Sequence, residues 1–251
     1  KLRGNDFIEI KKQALLNAKN AKLHFEIITT FIRDNLKEAG SILAFAADYA
    51  PSLSIITFLA AAKTGRFNIE EEQLVDRESI IKSIIDSGKI SGLTSDNFYP
   101  FPLFRPLGVD IHPDCTSLLY LALRKGEYEP LDRYLNIEKF YRLMGRSKGR
   151  VNMIRGFLLF NIYFTLSVRI TKIFPLYKMI FGLLTGIGKD SIMIVAIEQF
   201  MNEVYQDQER IDHCTNCVIM KDGTMVPACI FQHPDTRRFE YTRKKIKSTK
   251  Y

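Results

Sequence analysis

The sequence predicts an α/β fold: parallel βα units over residues 1–100, then a mostly helical domain over 101–251 that carries a cysteine-ligated metal centre. Three observations lead there. Through residues 1–100, β-branched apolar runs alternate with stretches of helical spacing, as in βα units. Beyond residue 116, helical spacing and long apolar zones take over. Finally, three of the four cysteines, Cys214, Cys217 and Cys229, lie in one short C-terminal stretch.

Taken in order, Asn5 or Asp6 is placed to cap a helix with apolar positions Ile8, Leu15 and Ala18, and Glu9 suits a capping box. Residues 24–32 are β-branched and aromatic and predict a buried strand. Helical spacing returns over 34–49 through Leu36, Ile42, Leu43 and Ala46. A second buried strand is predicted at 53–61, ending at Lys63-Thr64-Gly65-Arg66. Residues 77–87 are again helical, with Ile80, Ile81, Ile84 and Ile85. A closed eight-fold barrel takes about 200 residues or more, so these few units predict a half-sheet. The proline-punctuated stretch Phe98-Tyr99-Pro100-Phe101-Pro102, with Arg105-Pro106, reads as a loop leading to Cys115. Helices are predicted at 116–124 and 137–144, followed by an apolar zone over 153–187.

That zone allows three readings. Its runs at 156–168 and 173–188 fall short of the roughly 20 apolar residues a spanning helix needs. A buried helical hairpin is the plainest account. A lipid-contacting surface is the second, because Arg146, Lys148, Arg150, Arg155, Arg169, Lys172 and Lys178 surround the zone. Spanning is the third.

Composition narrows the partners. A formal charge of +8 and a pI near 9.2 favour an anionic one: a phosphate-bearing substrate, a lipid surface or nucleic acid. So few cysteines do not form a disulfide framework, which favours a reducing, cytoplasmic setting, at the membrane surface on the lipid reading. No signal peptide is visible at Lys1-Leu2-Arg3-Gly4, and the lack of an initiator Met suggests a chain that begins part-way through something larger. A basic tail covers 237–250. No phosphate-cradling glycine loop and no Gly-x-Ser-x-Gly elbow occurs, so Ser–His–Asp chemistry has no support.

The cysteines carry the chemistry. Cys214 and Cys217 are two residues apart, so one turn brings both sulfurs to the same side. Asp222-Gly223 and Val226-Pro227 then return the chain so that Cys229 approaches the pair. Cys115, in His112-Pro113-Asp114-Cys115, completes four thiolates. An all-thiolate zinc site and an iron–sulfur cluster both satisfy this set. His112 and His213 are better placed as hydrogen-bonding neighbours than as ligands, and His24 and His233 as structural residues. Thr29, Thr30, Gly65 and Arg66 fall at the C-terminal ends of predicted parallel strands, where α/β proteins bind ligands; Arg66 is a candidate for an anionic group.

Short motifs add a resemblance. Leu2-Arg3-Gly4-Asn5-Asp6, Ile10-Lys11, Asn17-Ala18, Thr64-Gly65-Arg66, and Asp96-Asn97-Phe98-Tyr99-Pro100 resemble the middle of a radical S-adenosylmethionine barrel. His112-Pro113-Asp114-Cys115, Ile197-Glu198-Gln199-Phe200-Met201-Asn202 running through Glu209-Arg210 into Cys214, Asp222-Gly223, and Pro227-Ala228-Cys229 are similar to the archaeal tetraether lipid synthase group and its methylase relatives. The resemblance covers nearly the whole chain, as the C-terminal part of such an enzyme. It implies the C-terminal half of a βα barrel over 1–100 and an auxiliary-cluster domain over 101–251. It further implies a 4Fe-4S cluster on Cys115, Cys214, Cys217 and Cys229, and S-adenosylmethionine near Arg3, Thr29, Thr30 and Arg66. The substrate would be a lipid or other long apolar molecule undergoing radical C–C bond formation or methylation, which leaves no role for nucleic acid.

Two departures matter. The C-x3-C-x2-C triplet that starts radical chemistry in the family is absent, so either an upstream half is missing or the chain is a degenerate relative. The resemblance also suggests a His-like ligand position where Cys217 stands. Spacing alone favours zinc, whereas the resemblance favours iron–sulfur. The alternative function is a non-catalytic four-cysteine zinc module contacting nucleic acid.

Overall fold

The structure, a computed structural model, describes residues 7–63, 69–101, 112–145, 153–185, 190–201, 207–214 and 216–231. It is an α/β protein built on a six-stranded mixed sheet. Helix α1 (Ile8–Asn20) precedes strand β1 (Phe25–Phe31), which pairs in parallel with β2 (Leu53–Ala60). Between them run a 3₁₀ turn, Arg33–Glu38, and helix α2 (Ala39–Ala47); α3 (Arg77–Asp86) follows. Both expected strands form where β-branched side chains are dense. The expected helix over 34–49 is split, with a 3₁₀ first half. Asn35 explains the split: its amide accepts from Ile32 N–H (2.8 Å) and donates to the Thr30 carbonyl (3.1 Å), tying the turn to the end of β1.

The next stretch departs from expectation. Residues Thr116–Arg124 are strand β4, not a helix. Their leucines favour helix, but β4 is flanked on both edges and buried on both faces, so tertiary pairing overrides local propensity. On one edge β4 meets β3 (Phe98–Pro100) at its start and β5 (Glu127–Pro130) at its end, both antiparallel. The β4–β5 connection is the two-residue turn Lys125-Gly126. Both residues have positive φ (53° and 87°), which a type I′ hairpin requires.

Helices α4 (Ile137–Gly145), α5 (Met153–Ser167) and α6 (Ile173–Thr185) come next. Strand β6 (Ser191–Gln199) then returns to the middle of the sheet, parallel to β2 and antiparallel to β4. The part of the chain expected to be mostly helical, residues 101–251, thus supplies three of the six sheet strands, β4, β5 and β6, and it shares one sheet with the earlier part. Strand order is β1-β2-β6-β4-β3, with β5 also on β4.

Two cores result. On one face, α2 and α3 cover Phe31, Ile56, Phe58, Leu119, Val195 and Ile197, with Phe31 and Phe58 edge-to-face at 4.8 Å. On the other face a second core gathers Ala122 and Ile192 with Tyr134, Ile137, Leu176 and Met179. Strand β3 is tied to that side by Tyr99, whose hydroxyl donates to Asp132 at 2.5 Å. Of the apolar positions expected to bury α1, Leu15 and Ala18 are half-buried and Ile8 is exposed, and no α1 residue is fully buried. Nor do the described residues of the 153–187 zone, 153–185, form a buried hairpin: α5 packs on α4, α6 packs on β6, and both leave large apolar side chains exposed. Among the described residues no helix is long and apolar enough to cross a membrane.

Candidate metal centre

The sheet register brings the site together. Thr116 pairs with Glu198, so the start of β4 meets the C-terminal end of β6, on the edge where β1 and β2 also end. Cys115 immediately precedes β4 and therefore stands at the ligand-binding edge of the parallel strands. Its backbone is tied on both sides: its N–H donates to the His112 carbonyl (3.0 Å), and its carbonyl accepts from Gln199 N–H (3.1 Å). Arg77 Nη1 donates to the Pro113 carbonyl (3.0 Å), holding the loop before it.

The other thiols come from a small C-terminal unit. Helix α7 (Gln208–Asp212) is capped by Asp207, whose carboxylate accepts from Glu209 N–H (2.9 Å). Cys214 follows this helix directly, its N–H donating to the Ile211 carbonyl (3.2 Å). Strands β7 (Cys217–Ile219) and β8 (Met225–Pro227) form an antiparallel ribbon. Its turn holds Gly223 at φ 81°, with Asp222 accepting from Thr224 N–H (3.0 Å). Ala228 N–H then donates to the Asn216 carbonyl (2.8 Å), and the short helix α8 (Ala228–Phe231) delivers Cys229. The Asp-Gly turn and the returning Val-Pro segment thus act as their residue types predict.

Cys115, Cys214 and Cys229 line a single cavity of about 100 Å³, together with Glu198, His213 and Asn216. Cys217 does not line it. It occupies the first position of β7, opposite Pro227, and its thiol donates to the Cys214 carbonyl at 3.5 Å. The electrostatics follow from this crowding. Burial pushes the Cys229 thiol up; a backbone hydrogen bond from Met201 opposes it, the charges of Cys214 and Cys115 add to it, and Arg210 counters them. Cys217 is also raised, by burial first and then by Cys214. Burial, then the charge of Glu26, raises the Glu198 carboxyl.

Among the described residues, no three His, Cys, Asp or Glu side chains stand close enough to hold one metal ion. Arg210 bears on what the cavity accepts. Its Nη2 donates to the Gln199 carbonyl (2.6 Å), while its Nε is buried with no hydrogen-bond partner among the described residues. A half-buried cation beside gathered thiols suits a site that carries negative charge.

The two histidines flanking the cysteines come near each other, with ring centroids 6.4 Å apart; His213 Nδ1 lies 2.9 Å from the Glu209 carbonyl. His24 is exposed ahead of β1. Thr29 and Thr30 sit at the C-terminal end of β1, two strands from β6, and are not among the cavity residues. Arg3, Arg66, His233 and the basic tail lie outside the described residues. Sequence reasoning gave Glu198, Gln199 and Arg210 no role in the site. The apolar run 191–197 ending in Glu198-Gln199 is the signal that would have marked a buried strand with a polar end.

No protein-family model matches the chain, and no curated protein matches it.

Proposed function

We propose that this chain is the C-terminal portion of a radical S-adenosylmethionine iron–sulfur enzyme acting on a lipid or other long apolar substrate. The observation that carries this reading is the meeting of Cys115, Cys214 and Cys229 around one cavity at the C-terminal edge of β1, β2 and β6. In the proposal these three thiolates hold the cluster, with Cys217 or His213 as the fourth ligand. A tetrahedral zinc site needs Zn–S distances of about 2.3 Å and hence tightly packed sulfurs. A cluster spaces its thiolates over different irons, which accords better with thiols arrayed around a cavity. When bound, such a cluster supplies one-electron chemistry. Arg210 offsets part of the thiolate charge, and the backbone ties on Cys115 fix the position of its sulfur.

The half-barrel expectation enters only through the parallel strands β1, β2 and β6; the antiparallel β3, β4 and β5 are additions to it. The test is anaerobic purification followed by iron, acid-labile sulfide and zinc analysis. Iron and sulfide together, with a broad visible absorbance bleached by dithionite, support the reading. Zinc without iron moves the chain to the zinc-module alternative. Absence of both metals overturns the site.

A further inference from the structure

The outward faces of α5 and α6 are bare. On α6, Leu176, Met179 and Gly182 are buried, whereas Phe174, Tyr177, Phe181 and Leu184 are 56–81 % exposed. At 3.6 residues per turn these four fall within an arc of about 80°, turned away from the buried three. On α5, Phe157 and Ile162 are among five large apolar side chains more than half exposed. The turn between the helices, Ile170–Lys172, adds Ile170 at 84 %. Contiguous apolar surface on this scale marks an interaction site on a folded protein.

Charge selects the occupant. From Lys139 to Lys189 the sequence has ten Lys and Arg residues and no Asp or Glu. A second copy docking here would set this cationic segment, of which Lys139, Arg142, Arg155, Arg169, Lys172 and Lys178 lie among the described residues, against itself. An anionic lipid surface complements both properties at once. The helices, of 15 and 13 residues, are about 22 and 20 Å long, too short to span but long enough to lie in the interface plane. Lys178 is offset by its ion pair with Asp190 (2.9 Å), whereas Arg169 Nε donates to the neutral Asp132 carbonyl (3.0 Å) and keeps its charge at the turn between the helices.

We propose that the α5–α6 face is a membrane-docking surface that seats in the headgroup layer of an anionic bilayer. This extends the lipid reading above but does not depend on the thiol site. The experiment is co-sedimentation of the full chain with vesicles of mixed phosphatidylglycerol and phosphatidylcholine, and with phosphatidylcholine alone, after metal removal by a chelator. Expected are a partition about tenfold higher onto the anionic vesicles, weakening with salt, and its loss in F174E/F181E with an unchanged thermal midpoint. Because the chain has no tryptophan, F174W adds a single reporter whose emission should shift to the blue on anionic vesicles. Equal partition onto both vesicle types overturns the proposal. So does binding that survives F174E/F181E. A chain that ignores vesicles at low salt overturns it too, and a dimer broken by F174E/F181E would then identify a second copy as the occupant. None of these outcomes bears on iron content, so the two readings fail separately.

Discussion

Gln199 is fastened to Cys115 through its backbone and to α3 through its side chain. Its N–H donates to the Cys115 carbonyl (3.1 Å), and its Oε1 accepts from Arg77 N–H (3.1 Å) at the first turn of α3. One residue at the end of β6 therefore sets the height of Cys115 against the sheet and joins it to the first core. The C-terminal unit reaches the same strand end by another route, since Arg210 donates to the Gln199 carbonyl. Cys115 and the unit bearing Cys214 and Cys229 are thus held to one point on the sheet.

If the proposed cluster forms, replacing Cys115, Cys214 or Cys229 singly with Ser should remove most of its iron, because each lines the cavity. Cys217→Ser should have the smallest effect of the four. Iron-to-protein ratios of the four anaerobically purified variants check this. A loss on Cys217→Ser equal to the others would mean that Cys217 turns inward when metal binds.

The chain should not cleave S-adenosylmethionine reductively by itself, because it has no C-x3-C-x2-C triplet. Incubation with dithionite and the cofactor should yield no 5′-deoxyadenosine above a protein-free control. Turnover would show that the thiols gathered at the sheet edge are themselves a radical-generating centre.

Gly40→Ala should destabilise the protein by about 1–3 kcal/mol through overpacking. A Cβ at residue 40 would stand 2.3 Å from Cβ and Oγ of Ser87, where α2 crosses the end of α3. Ser87 is not free to turn aside, since its hydroxyl donates to the Ile84 carbonyl at 2.6 Å. Urea unfolding measures the loss, and adding Ser87→Gly should restore part of it.

Asp76 caps α3, its carboxylate accepting from Ser79 N–H at 2.8 Å. Asp76→Ala should cost about 1 kcal/mol, and Asp76→Asn much less. Hydrogen bonds from Ser79, first its side chain and then its backbone, hold the Asp76 carboxyl below the usual Asp value. A lowered folded pKa gives stability that is present above the unfolded value, about 3.9, and is lost as pH falls through the folded one. The gap between parent and Asp76→Ala should therefore narrow in acid, as read by unfolding at a series of pH values.

Glu198 has the opposite sign. Burial, followed by the charge of Glu26, raises its carboxyl, so the folded state keeps this proton to higher pH than the unfolded chain does. Stability then falls as pH rises from the usual Glu value, about 4.3, through the raised one. Metal-free Glu198→Gln should be more stable than the parent at neutral pH and converge with it in acid. Thermal midpoints across pH decide the matter, and a parent curve parallel to that of Glu198→Gln would refute it.

What the sequence by itself determined was local. The β-branched runs of β1 and β2, the isoleucine spacing of α3 and the Asp-Gly turn before Cys229 each form as their residue types require, because neighbours along the chain suffice to decide them. The α/β class was legible for the same reason. The strand identity of Thr116–Arg124 was not: a leucine-rich run buried on both faces has no alternation to show, and only pairing with β6, β3 and β5 makes it a strand. The placement of β6 between β2 and β4 joins residues more than a hundred positions apart, and no local pattern encodes such a pairing. That placement decided the candidate site as well. It set Cys115 beside Glu198 and Gln199, and it gave Cys214 and Cys229 the cavity while the β7 ladder drew Cys217 aside. Apolar content alone could not tell a buried helix from a bare one, since burial depends on what packs opposite. Tertiary structure put one side of α6 on the sheet and left the other, with most of α5, uncovered.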